Sequence, residues 1–169
     1  MNMRLRMSPS PSKLAQRGAA AIELALLTLP LAGLSFGITE FGRALHQYNT
    51  VAKNVRDAAR YQSTVAPGNT APATTLPGRC LALSGSTANS SGACSGTALL
   101  PGLTLGMITV CDRVLCPVTH NQQPPTPGTL GKVNLVTVTV TGYPFTSMVP
   151  FAMPSIAFGP ISATMVQPL

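Results

Sequence analysis

An apolar run of 21 residues, 19–39, is the feature that most constrains how this chain can fold. A helix of that length is about 31 Å long, which matches the roughly 30 Å thickness of the hydrocarbon core of a bilayer. The run contains one ionisable side chain, Glu23, and one proline, Pro30, which a transmembrane helix tolerates as a kink. We therefore predict that residues 19–39 form a membrane-spanning helix.

The 18 residues before this run form a basic leader. The leader contains Arg4, Arg6, Lys13 and Arg17 and has no acidic residue, as in the n-region of an export signal, so we predict no folded element there. Because basic residues remain on the cytoplasmic side of a membrane, we expect the leader inside the cell and the remaining chain outside. Without the leader the formal charge falls from +7 to +3, so we expect no nucleic-acid partner.

Residues 40–66 continue the helix as an amphipathic segment on the outer side of the membrane. Apolar side chains recur there at helical spacing and form one stripe: Tyr48, Val51, Ala52, Val55, Ala58 and Ala59. Polar and charged residues fall on the other faces. Because no cluster of helix-breaking residues intervenes, we predict one helix from about Ala19 to about Gln62, with its first half in lipid and its second half under a folded domain.

Residues 67–169 are predicted to form a small, loop-rich β domain. Residues 67–102 are rich in Pro, Gly and Ser and are predicted to be irregular. Alternating β-branched residues predict strands at 104–110, 133–141 and 161–166. So small an antiparallel sheet needs a helix to pack against. The predicted fold class is therefore α+β, with a long N-terminal helix packed on a small antiparallel sheet.

The four cysteines, Cys80, Cys94, Cys111 and Cys116, all follow the predicted span. On the oxidising outer side they are expected to form two disulfides. Three connectivities are possible, and we favour Cys80 with Cys94 and Cys111 with Cys116 because both close short loops. The alternative, a four-cysteine zinc site, lacks CxxC pairs and a nearby histidine, so we expect no metal.

Catalytic motifs give one near match. Residues 92–96, with Cys94 between two glycines, have the outline of a nucleophile elbow, which needs a preceding strand, a following helix and a nearby base. Here the motif lies in a Gly/Ser-rich loop, and a disulfide explains Cys94 better. The chain has only four acidic residues and no paired carboxylates. We predict that it is not an enzyme and has no cofactor; a thiol enzyme using Cys94 is a minor alternative.

Two further segments lie near the predicted outer membrane boundary. Glu40 and Arg43 are spaced for an i, i+3 ion pair, which we expect to be solvated. Residues 143–154 are apolar and interrupted by prolines, which favours closure of the core or contact with the membrane over a ligand pocket.

Glu23, near the start of the run, is unusual because a charge at mid-depth in the bilayer costs about 2.5–3.5 kcal/mol on insertion scales, and less near the ends. One interpretation is a carboxylate that lies at the membrane interface or is protonated in the lipid. A cut after Gly18 would create an ammonium group at Ala19, one helical turn from Glu23. In an assembly of parallel helices, the Ala19 ammonium of one subunit could then neutralise Glu23 of its neighbour. This pairing would favour polymerisation.

The same residues carry a family resemblance. Arg17 and Gly18, followed by AAAIE and a long apolar helix, resemble a type IV prepilin. The wider stretch 17–63, with EFGRAL at 40–45 and VRDAARY at 55–61, more closely resembles the TadE-like pseudopilins of the tight-adherence (Flp) pilus system. The C-terminal stretches VTVTVTGYPFTSMVPF and ISATMV also fit that family.

The resemblance implies a pilin-like fold and cleavage between Gly18 and Ala19 by a membrane aspartic prepilin peptidase, followed by methylation of the new amine. It also implies a minor pseudopilin of the bacterial inner membrane, single-pass with a cytoplasmic N-terminus. Its partners would be the peptidase, membrane lipid, other pilins and pseudopilins and the Tad assembly platform, and its role would be pilus assembly, adhesion and biofilm formation. The alternative hypothesis is an uncleaved, signal-anchored extracytoplasmic domain that binds a partner and never polymerises.

Overall fold

A computed structural model describes residues 12–65, 72–87, 93–124 and 131–167. Its longest element is a single helix, α1, which spans Ser12–Thr64 and contains Pro30 without a break. At 1.5 Å per residue, α1 is about 80 Å long. The predicted continuous helix is confirmed, but it begins before Ala19, so the prediction of no folded element in the leader was wrong for residues 12–18; residues 1–11 of the leader lie outside the described residues. Lys, Leu, Ala and Gln, all good helix formers, occupy this added part.

A second helix, α2, spans Pro72–Ser84, where the sequence had predicted irregular chain. That prediction was wrong for residues 72–84, whereas residues 93–102 are irregular as predicted. Pro72 occupies the first helical position, which needs no backbone N–H donor, so only Pro77 interrupts the hydrogen bonding. Packing outweighs that loss, because α2 lies against α1 and buries Cys80, Ala82 and Leu83.

The contact between the two helices depends on a glycine. A Cβ atom at Gly78 would lie 2.6 Å from Cγ of Gln62, which is itself buried on α1. A side chain at this position would therefore require the Gln62 side chain to move or the two helices to separate.

The sheet contains three antiparallel strands in the order β1 (Ile108–Cys111), β2 (Asn134–Val140) and β5 (Ile161–Gln167). All three lie within or overlap predicted strands. The first is shorter than predicted because a 3-10 turn, Leu105–Met107, precedes it. Three short elements were not predicted: α3 (Pro117–His120), and a two-residue pair formed by β3 (Pro144–Phe145) and β4 (Ile156–Ala157).

The core lies between α1, α2 and one face of the sheet. The predicted stripe on α1 supplies Val51, Val55, Ala58 and Ala59, all fully buried. From the sheet, Val136, Val138 and Val140 of β2 meet them, in strict alternation with less buried residues. Tyr48 stays partly exposed and instead meets Phe158 edge to face.

The last described strand is attached to the end of α1. The Gln167 side chain donates from Nε2 to the carbonyl oxygen of Val65 at 2.9 Å, and the carbonyl oxygen of Gln62 lies 3.4 Å away. Strand β5 therefore runs along the outer half of the helix and is bonded to its end.

Candidate functional site

The apolar part of α1 projects away from the folded domain. In the described part of the chain, α1 is the one helix that is long and apolar enough to cross a membrane. The most apolar stretch of α1 is not buried by the rest of the protein. The exposed apolar side chains of this part are Ile22, Leu24, Leu26, Leu27, Leu29, Leu31, Leu34, Phe36 and Ile38. An apolar surface of this size requires lipid or other helices around it.

Hydroxyl groups within this part of α1 are satisfied by the helix itself. Thr28, Ser35 and Thr39 each donate to the carbonyl oxygen four residues earlier, at 2.7–2.9 Å. Glu23 differs, because no described residue forms a hydrogen bond or ion pair with its carboxylate. Since Ala19 and Glu23 are four residues apart on one continuous helix, they lie on the same face, one turn apart.

At the outer end of the apolar part, Glu40 is buried, with 3% of its surface exposed. Its Oε2 accepts hydrogen bonds from Arg43 Nη2 at 2.9 Å, from Ser147 Oγ at 3.0 Å and from the Met148 amide at 3.2 Å. The Arg43 hydrogen bond lowers the pKa of Glu40 below its ordinary value, against the opposing effect of burial. The predicted ion pair is confirmed, but the prediction that it is solvated was wrong.

Arg43 extends this arrangement to a second segment of backbone. Its Nη2 donates to the carbonyl oxygen of Thr146 at 2.7 Å, and its guanidinium carbon lies 4.8 Å from the centre of the Phe145 ring. Such a cation over an aromatic face is attracted by the ring quadrupole. We call Glu40, Arg43, Thr146, Ser147 and Met148 the Glu40 cluster. The cluster fixes the segment 143–154 to α1.

Residues 143–154 divide into a buried part and an exposed part. Tyr143, Phe145 and Ser147 are buried, whereas Met148 is 77% and Phe151 is 79% exposed. The Tyr143 hydroxyl lies 3.0 Å from Oε1 of Gln47, to which it donates, and burial raises its pKa. Of the two roles that the sequence favoured for this segment, closure of the core is confirmed for the buried part; the other part leaves apolar side chains outside the core, and its contact with the membrane stays a prediction.

The residues of this segment that bind Glu40 were not singled out from the sequence. The available signal was weak: Thr146 and Ser147 are the two polar side chains between Tyr143 and Pro154. Polar groups inside an apolar stretch mark hydrogen bonding in a buried place.

The comparison with known families concerns this same helix. Residues 18–60 match the family model of TadE-like proteins. The resemblance predicted from the sequence is thus confirmed for the helix, over about a quarter of the chain; the C-terminal stretches that also fit the family lie outside the match. No curated protein and no solved structure gives a significant match.

The TadE-like segment begins at Gly18 and includes Glu23 and the Glu40–Arg43 pair. It ends near the close of α1, before α2, both disulfides and the sheet. The family match therefore bears on the helix alone, and the outer domain has to be interpreted from its own residues.

Outside the TadE-like segment, two disulfides join Cys80 to Cys94 and Cys111 to Cys116. This is the pairing of short loops that the sequence favoured. The first disulfide ties α2 to the loop after it, and the second ties the end of β1 to the start of α3. Because Cys94 is oxidised, the near match to a nucleophile elbow has no free thiol.

His120 lies beside the second disulfide, contrary to the prediction that no histidine is near a cysteine pair. One potential ligand atom from each of Cys111, Cys116 and His120 falls within 4.8 Å of the others. Both sulfurs are bonded to each other, however, and metal binding needs thiolates. The His120 ring also lies 2.8 Å from the Thr137 hydroxyl and 2.7 Å from that of Thr119. Partial burial lowers its pKa, against the attraction of Asp112.

Asp112 has a structural role that the sequence did not reveal. Its Oδ1 accepts hydrogen bonds from the amides of Val114 and Leu115, both at 2.8 Å, and the residue is buried. These bonds shape the turn between β1 and α3, which brings Cys116 back to Cys111.

Proposed function

We propose that this chain is a minor pseudopilin of a Tad pilus system. The observation that carries the proposal is the TadE-like helix itself: it projects an unburied apolar part, and that part carries one carboxylate, Glu23, one turn beyond Ala19. The family match supports an association with a Tad pilus. Processing, assembly, adhesion and biofilm formation are the finer parts of the proposal.

Processing is hydrolysis of the amide bond between Gly18 and Ala19 by a prepilin peptidase. Water adds across the bond, so the leader leaves with the Gly18 carboxylate, and the mature chain begins with the Ala19 ammonium, the group then methylated. Both residues are exposed, and the basic leader remains on the cytoplasmic side. The mature chain is then a single-pass protein of the bacterial inner membrane, with its disulfide-containing domain outside.

Assembly follows from the charge balance that the cut creates. In lipid, Glu23 and the Ala19 ammonium are each costly alone, and an ion pair between neighbouring subunits offsets both costs. The new helix terminus further favours a nearby carboxylate through the helix dipole. We propose that this pairing recruits the chain to other pilins, pseudopilins and the Tad assembly platform.

The proposed role is structural and needs neither a cofactor nor a metal. Two of the four acidic side chains, Glu40 and Asp112, already accept hydrogen bonds that hold the fold, and Cys94 is in a disulfide. The alternative remains an uncleaved, signal-anchored domain that binds a partner outside the membrane.

The test is the intact mass of the chain isolated from membranes with and without an active prepilin peptidase. We expect a mature chain beginning at Ala19 only with the peptidase, and a full-length chain for Gly18→Val, whose side chain crowds the scissile bond. A Met1 terminus in the presence of the peptidase would contradict the proposal and favour the alternative.

Assembly is tested separately with Glu23→Gln, which removes the charge, and Glu23→Asp, which keeps it. We expect both variants to be cleaved, but only Glu23→Asp to be cross-linked into oligomers with other pilus subunits. Equal cross-linking of both variants would contradict the proposed ion pair.

A further inference from the structure

We propose that the C-terminal segment 147–154 is a second membrane contact, which inserts Met148 and Phe151 into the outer surface of the bilayer beside α1. The proposal rests on the membrane-spanning part of the proposed function, but not on cleavage or assembly. The partner that we propose for this segment is the lipid surface itself.

The position of Phe151 is the first observation. Its ring meets Phe36 edge to face, with ring centres 6.3 Å apart. Phe36 lies three residues inside the outer end of the predicted span, so the two rings meet about 4.5 Å below that end. Phe151 is nevertheless 79% exposed, so most of its ring faces whatever surrounds α1 at that depth.

The second observation is how firmly the segment is placed there. Glu40 holds the Ser147 hydroxyl and the Met148 amide, while the Val149 amide donates to Ser147 Oγ at 3.1 Å. The amides of Ala152 and Met153 both donate to the carbonyl oxygen of Val149, at 2.9 and 3.1 Å. These bonds close a turn of the backbone, and Phe151 is one of the residues that form the turn. The polar groups of the segment thus bond to α1 and to one another, and Met148 and Phe151 point outward.

Charge is the third observation. No Asp, Glu, Lys, Arg or His occurs from residue 133 to residue 169, so the segment itself carries no charge that opposes entry into lipid, and the neighbouring charges of Glu40 and Arg43 are paired with each other. The exposed apolar surface also continues onto α1 through Phe36 and Phe41. This apolar surface is continuous with the predicted span. Contact with lipid is therefore favoured over contact with a separate protein partner.

Such a contact would set how the outer domain stands on the membrane. A single membrane-spanning helix can rotate about its axis and tilt. A second anchor at the outer leaflet restricts both motions, so that the same side of the outer domain always faces the membrane. Met148 and Phe151 therefore fix the depth and rotation of α1, while the Glu40 cluster holds their segment to the helix.

The test uses the absence of tryptophan from this chain. Phe151→Trp introduces a single tryptophan into the full chain, which is excited selectively at 295 nm. The protein is reconstituted in vesicles of phosphatidylethanolamine and phosphatidylglycerol, with and without brominated acyl chains. Leu27→Trp reports the middle of the span. Val118→Trp, at an 88% exposed position on α3, is the matched control for an exposed apolar residue away from α1.

We expect bromolipid to remove most of the emission of Phe151→Trp and Leu27→Trp, and aqueous acrylamide to quench only Val118→Trp strongly. If Leu27→Trp is quenched by bromolipid but Phe151→Trp behaves like Val118→Trp, the second contact is wrong and the span stands. If Phe151→Trp is protected from both quenchers, a protein surface covers it, and the lipid proposal is wrong. If Leu27→Trp is not quenched by bromolipid, the span and this inference both fail.

Discussion

Ser147 donates a hydrogen bond to Glu40 at 3.0 Å across 107 residues of sequence. The bond joins the first element of the chain to its C-terminal segment at the level where α1 leaves the predicted membrane. Since Glu40 also binds Arg43 and the Met148 amide, one carboxylate determines where this segment lies.

Ser147→Ala tests this attachment without removing a charge. We expect the Met148 amide to exchange with solvent faster, because Glu40 loses one of its donors and the segment opens more often. Amide hydrogen exchange of the full chain in micelles measures the effect. Ser162→Ala, at an exposed serine on β5, is the matched control and should leave the exchange unchanged. Equal exchange in Ser147→Ala and the unaltered chain would contradict the role of the bond.

Acidification should release the same segment. Because the pKa of Glu40 is lowered in the folded chain from an ordinary value of 4.5, its contribution to stability is present above that value and is lost as pH falls through the lower, folded pKa. We expect the NMR signal of the Met148 amide to shift in this acidic range. Glu40→Gln has no such group to titrate, so its Met148 signal should not follow the same curve; a matching curve would assign the titration to another residue.

His120 should make the stability of the folded domain depend on pH in a separate, higher pH range. Burial lowers its pKa from 6.5, so the neutral ring is favoured in the folded domain, and stability falls as pH drops from above 6.5 through the folded pKa. Thermal unfolding followed by circular dichroism at pH 7.5 and pH 5.5 should show a smaller difference for His120→Gln than for the unaltered chain. His46→Gln, at an exposed site on α1, should keep the full difference.

The disulfides should contribute unequally to stability. They close loops with sequence separations of 14 and 5 residues, for which the chain-entropy relation gives about 3 and about 2 kcal/mol. We therefore expect the double substitution Cys80→Ser with Cys94→Ser to lower the free energy of unfolding more than Cys111→Ser with Cys116→Ser. Denaturant unfolding of each variant under non-reducing conditions measures the difference, and the reverse order would contradict the relation here.

Gly78 and Gly42 form a matched pair of helical glycines. Gly78→Ala places a methyl group 2.6 Å from Gln62, so we expect a loss of about 1–3 kcal/mol from overpacking between α1 and α2. A Cβ atom at Gly42 meets nothing within 4 Å, so Gly42→Ala should stabilise α1 by up to about 1 kcal/mol. Thermal unfolding of both variants in micelles tests the opposite signs; destabilisation by both would show that the contact at Gly78 is not the cause.

Features with a local physical origin could be predicted from the sequence. The length of the apolar run gave the projecting part of α1, the helical stripe gave the buried Val51 and Val55, and the alternation of Val and Thr gave β2. The disulfide pairing also followed from short separations along the chain.

Features that depend on distant partners could not be predicted in the same way. Helix α2 is stabilised by packing on α1, which its Pro-rich sequence does not indicate. The burial of Glu40 depends on Ser147 and Met148, and neither can be matched to Glu40 by spacing. His120 reaches the Cys111–Cys116 disulfide only because Asp112 shapes the turn between them.

The attachment of Gln167 to the end of α1 has a mechanical consequence. With Glu40 bound to Ser147 at the lower end and Val65 bound to Gln167 at the upper end, the outer domain is fastened to the helix at two levels. These levels are about 37 Å apart along the axis. A pulling force on the helix, applied along its axis, is therefore shared between both ends and the packed core, and the domain is expected to travel with the helix without peeling away from it.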